Sequence, residues 1–151
     1  MKETERNIKK ENFIEWTTFI EDRVNNWTLN APKKLVDVLD YSPESLKVIE
    51  KYILENYTRE TLGKPENKST IDAIISYYSE VFMRNLPNSI WHIELEDENS
   101  VDFNLPCIKT PIGTLVNPYY LIKRVMAKNK GTFLYDFYVK RLGYINNPET
   151  Y

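Results

Sequence analysis

The sequence predicts a single α+β domain, with an amino-terminal helical layer packed on a small antiparallel sheet and one or two carboxy-terminal helices closing it. Three observations carry this expectation. Before residue 85, apolar residues recur in three stretches at three- and four-residue steps, the period of a helix. After Pro87 they alternate, the period of a half-buried strand. The chain of 151 residues, 42% hydrophobic with 11 Tyr, 6 Phe and 3 Trp, supplies one core and not two. The domain is taken as 1–151, with about 1–9 as a frayed terminus.

The first helical period runs through Phe13, Trp16, Phe19, Ile20, Val24 and Trp27, predicting one amphipathic helix of about 17 residues that ends near Pro32. Leu35, Val36, Val38 and Leu39 form a run too short for periodicity to separate strand from helical turn. Ser42 suits an N-cap, Pro43 the first helical position and Glu44 the positive end of the dipole. With Leu46, Ile49, Ile53 and Leu54 forming one apolar face, a helix is expected over 43–56. Residues 58–69 hold Gly63, Pro65 and Asn67 and read as an exposed connection. Ser69 or Thr70 then caps a third helix, whose apolar positions Ile71, Ile74, Ile75, Tyr78, Val81 and Phe82 place it centrally.

In the sheet, Trp91, Ile93 and Leu95 are expected inward, with Trp91 on the helix bearing Tyr78 and Phe82. The polar run 96–100 reads as a turn and 101–110 as the partner strand, where Pro106 favours an edge or a bulge. Pro118 opens a helix through Leu121, Ile122 and Val125, and Gly131 separates it from a last apolar segment, 133–142.

The net charge of −2 hides an asymmetry: residues 61–104 carry 8 acidic and 3 basic side chains, and residues 105–151 carry 2 and 7. This makes a dipolar surface, or two patches that face each other across the fold. Cys107 is the only cysteine, which precludes an internal disulfide and suits a reducing cytoplasm. The start, MKETERNIKKE, has no signal-peptide apolar run, and no window is long and apolar enough to cross a membrane. A cytoplasmic location is therefore expected. With His92 the only histidine, zinc sites built on several Cys and His ligands are excluded. The 4 glycines show no phosphate-cradling spacing. Neither a metal nor a cofactor is expected.

Glu94, Glu96, Asp97, Glu98 and Asp102 form the densest acidic cluster. They lack a calcium-loop pattern and read as a solvated hairpin tip or as a contact surface for a basic protein partner. Cys107 and His92 make a nucleophile and base if neighbouring strands bring them together, although a strand cysteine beside proline is more often a small buried hydrophobe. Glu80 either pairs with Arg84 one turn on or is buried near Trp91, so Glu80, Trp91 and Tyr78 are candidates whose structural role can extend to function. Nucleic-acid binding ranks third, resting on Lys123, Arg124, Lys128, Lys130, Lys140 and Arg141.

The run Tyr77-Tyr78-Ser79-Glu80-Val81-Phe82, followed by Trp91, Pro106 with Ile108, and Asn117-Pro118, resembles small, mostly uncharacterised bacterial proteins. In those proteins a Y-x-[small]-E-[apolar]-[apolar] helix precedes a Trp strand and a proline-containing strand. The resemblance spans about residues 35–125 and includes the upstream Leu39-Asp40-Tyr41-Ser42-Pro43. It implies this fold class and a bacterial setting, sometimes beside toxin–immunity genes, and carries no catalytic residue. The function expected first is a cytoplasmic protein-binding module, concretely an immunity-type inhibitor of a toxin. The alternative is a small enzyme using Cys107 and His92 or the carboxylates around Glu94 and Glu80.

Overall fold

In a computed structural model that describes residues 1–150, the chain is α+β, with helices on both sides of the strands in sequence. The amino-terminal stretch is helical: α1 runs Glu3–Thr18 and α2 runs Ile20–Asn30. The single helix predicted over this stretch is therefore two. Thr17 and Thr18 both donate their hydroxyls to the Ile14 carbonyl, at 3.0 and 2.7 Å. This back-bonding bends a helix, and Phe19 leaves helical geometry at φ −99°, ψ 19°. No α1 residue is fully buried, whereas α2 buries Ile20, Val24 and Trp27 and packs along the central helix.

The ambiguous 35–39 run resolves as a helical turn, α3, Lys33–Val36. Helix α4, Ser45–Asn56, starts two residues after the expected position, and the Ser45 N–H donates to Ser42 Oγ at 3.2 Å. The 58–69 connection holds a one-turn helix, α5, Arg59–Leu62, fixed by a capping box between Thr58 and Thr61, and then a 3-10 turn, Pro65–Asn67. Helix α6, Lys68–Asn85, is the centre of the molecule. Its Ile74, Tyr77, Tyr78, Val81 and Phe82 have zero exposure. The buried Ser76 and Ser79 satisfy their hydroxyls on the carbonyls of Asp72 and Ile75. Neither Ser69 nor Thr70 caps this helix. Asn67 stands at the cap position, and its side chain donates to the Thr61 carbonyl instead.

The sheet has the order β1 (Ile90–Ile93), β2 (Pro106–Lys109), β3 (Leu115–Val116), antiparallel throughout. Of the edge or bulge expected at Pro106, the edge is not found, because β2 is the central strand. Pro106 is its first residue, a position where the missing N–H is tolerated. Residues 101–105, expected as strand, form turns and a bend, with a single bridge from Phe103 to Glu94. Of the three residues assigned to the core face, only Leu95 is fully buried, and Trp91 and Ile93 are half-buried. Trp91 meets Trp16 of α1 edge-on at 5.4 Å. The buried strand is β2, where α6 and α7 both pack and where Cys107 and Ile108 have zero exposure.

Asn117 caps α7, Pro118–Lys128, by accepting the Tyr120 N–H, and Pro118 occupies the first turn as expected. The helix ends at Asn129, whose φ of 46° is left-handed. Helix α8, Phe133–Asn146, lies against α4 and α7.

Candidate functional site

The acidic segment is an ordered loop built on its own backbone. Glu94 Oε1 accepts the N–H groups of Asp97 at 3.0 Å and Glu96 at 2.6 Å, and these bonds hold its carboxyl below the usual carboxylate range. Asp97 Oδ1 accepts the Asn99 N–H, Ser100 Oγ accepts the Asp102 N–H, and the Asn104 N–H returns to the Glu94 carbonyl. Asp102 faces inward and accepts from Asn117 Nδ2 at 2.8 Å, tying the loop to the cap of α7. Glu96 and Glu98 face outward. Arg6 meets Glu96 at 3.1 Å and the terminal amine meets Glu98 at 3.5 Å. Val101 sits beside them, 78% exposed. The five acids thus divide into two that build the loop's frame (Glu94, Asp102), one that shapes its turn (Asp97) and two that Arg6 and the terminal amine engage (Glu96, Glu98).

Cys107 and His92 are opposite each other in the β1–β2 register, which places both side chains on one face of the sheet. No hydrogen bond joins them. Cys107 has zero exposure, and burial, reinforced by the charge of Asp102, pushes its thiol up to about 12. At neutral pH the thiolate a nucleophile requires is therefore scarce. Iodoacetamide should leave the native chain unmodified near pH 7 and add one carbamidomethyl group only after unfolding. Intact mass with and without denaturant reads this directly, and rapid native alkylation would show that the strand opens.

Glu80 takes the simpler of its two expected roles. Arg84 Nε donates to its Oε2 at 3.3 Å, one helical turn on. The Arg84 guanidinium also lies 3.6 Å over the Tyr41 ring. Glu80→Gln should cost less than about 0.5 kcal/mol in urea denaturation, the worth of an i,i+4 ion pair. Tyr78 is wholly internal. Its ring lies 5.1 Å from Phe82, and its hydroxyl, without a hydrogen-bond partner among the described residues, is pushed well above the usual phenol range by burial.

Two features lay outside the sequence reading. Glu50 has zero exposure and accepts the backbone N–H groups of Phe133 at 3.0 Å and Leu134 at 2.8 Å, so one α4 carboxylate caps the start of α8. The second is a cavity of about 670 Å³ between α6 and α7, walled at one end by α5 and the Gly63-Lys64-Pro65 turn. Its α6 side is the stripe 68, 71, 72, 75, and its α7 side is the stripe 119, 122, 123, 126. The matching i, i+3, i+4, i+7 spacing was visible in the sequence. Only the fold shows that the two stripes face one another.

No family model matches the chain, and no curated protein or solved structure matches it significantly. Among the described residues no group of three or more His, Cys, Asp or Glu side chains is placed to hold a metal, and no helix is long and apolar enough to cross a membrane.

Proposed function

We propose that the chain is a cytoplasmic protein-binding module, most concretely an immunity-type inhibitor of a toxin, and that the 94–102 loop is its contact surface. The observation that carries this is the loop's frame, in which three side-chain-to-backbone turns and the Asp102–Asn117 bond hold Glu96, Glu98 and Val101 outward. A loop already ordered loses less entropy on docking. Carboxylates around an apolar knuckle suit a basic partner surface, which they attract from a distance. Each cation covers its carboxylate from one side only, since Glu96 and Glu98 stay 74% and 58% exposed, which leaves both open to a competing basic surface. The resemblance to proteins found beside toxin–immunity genes is what points to a toxin as partner.

Affinity capture from the native host tests the reading, with wild type compared against Glu96→Lys/Glu98→Lys. The expected result is one stoichiometric partner, released by salt and lost with the charge-reversed loop. Equal capture by both proteins, or no stoichiometric partner, would overturn it.

A further inference from the structure

We propose that the trough between α6 and α7 binds a monomeric amphiphilic anion, an unbranched alkyl chain ending in an anionic head. The floor is apolar: Ile75 and Ile122 are buried, and Ile71 and Met126 are half-buried beside them. Each wall stripe spans eight helical residues, or seven steps of rise, so the trough runs for about 10 Å. A cavity of about 670 Å³ is the size of a small-molecule site. Met126 adds a flexible, polarizable wall that adapts to a chain of variable shape.

The mouth supplies the sign of the charge. Four cations, Arg59, Lys64, Lys68 and Lys123, line the cavity with a single acid, Asp72. Lys68 is engaged by that acid at 2.5 Å. Arg59, Lys64 and Lys123 have no carboxylate partner among the described residues. Arg59 is on α5, Lys64 on the turn that follows it and Lys123 on α7, so the three line the cavity from two walls. A tail on the floor leaves its anionic head beside three cations that no carboxylate engages, and a neutral or cationic head gains no charge-assisted contact there.

Isothermal titration of the full chain with dodecanoate, below its micelle concentration, tests the assignment, with dodecanol as the uncharged analogue. Saturable one-to-one uptake of dodecanoate is expected, with dodecanol at least about tenfold weaker through loss of one charge-assisted contact. Arg59→Glu/Lys123→Glu changes exposed side chains only and should weaken dodecanoate by a similar factor while thermal unfolding stays cooperative. Met126→Trp fills the floor and should remove uptake. Equal binding of dodecanol and dodecanoate, or unchanged binding by the double variant, would overturn the proposal. So would retention on anionic phospholipid vesicles without saturable uptake of dodecanoate, which assigns the cations to a membrane surface. The loop variant Glu96→Lys/Glu98→Lys should bind dodecanoate as wild type does, which separates this site from partner capture.

Discussion

Phe82→Ala should lower the unfolding free energy by about 3–5 kcal/mol, the range for truncating a large aromatic side chain in a packed core. Phe82 has zero exposure and lies 5.1 Å from Tyr78, 5.2 Å from Tyr138 and 6.3 Å from Phe137, at the place where α6 meets α8. Removing the ring takes partners from three aromatic side chains at once. The lost edge-on contact with Tyr138 adds to the lost burial. Trp91→Ala is the informative contrast. Trp91 is half-buried on an edge strand and packs chiefly on Trp16, so its truncation should cost nearer 2 kcal/mol, roughly the burial value of one large side chain. Urea denaturation of both variants checks the ranking, and a larger loss at Trp91 would contradict the placement of the core under β2.

Glu50→Ala should cost about 3 kcal/mol, because two backbone N–H groups at the start of α8 would lose a charged acceptor inside the protein. The charge matters as well as the bonds, since the carboxylate faces the positive end of the α8 dipole. Glu50→Gln keeps one carbonyl acceptor and similar volume and should lose roughly half as much. Chemical denaturation of the pair separates loss of charge from loss of acceptor. A Glu50→Ala protein within about 0.5 kcal/mol of wild type would mean that the N–H groups find another partner.

The two variants also mark where sequence reasoning succeeds and where it stops. Helix α6 is legible because its apolar residues repeat within the helix itself, as are the Asn117-Pro118 start of α7 and the alternation of β1. Glu50 is not legible, since its acceptor role depends on N–H groups 83 and 84 residues away. The break at Phe19 turns on two threonine hydroxyls that choose the same carbonyl, a local competition that apolar spacing does not register. The acidic loop was found by composition alone. Its division into framing and outward carboxylates required the backbone turns, and its engagement by Arg6 and the amino terminus required the position of α1. In the same way Arg59 and Lys64 fell within a stretch read as connection, and become a cationic wall only because α7 lies opposite.

Helix α1 buries none of its residues fully, and its early turns reach the rest of the molecule through Arg6 and the terminal amine. Its last turn is better held: Trp16 contacts Trp91 and Tyr119, and Arg23 donates to the Trp16 carbonyl. Such a helix exchanges its amide protons by local opening, well before the amides of α6, whose release requires the whole core to come apart. Opening also frees Glu96 and Glu98. The fraction of molecules with an unoccupied acidic loop is then set by a fraying equilibrium that added salt shifts toward the open form by screening the two ion pairs.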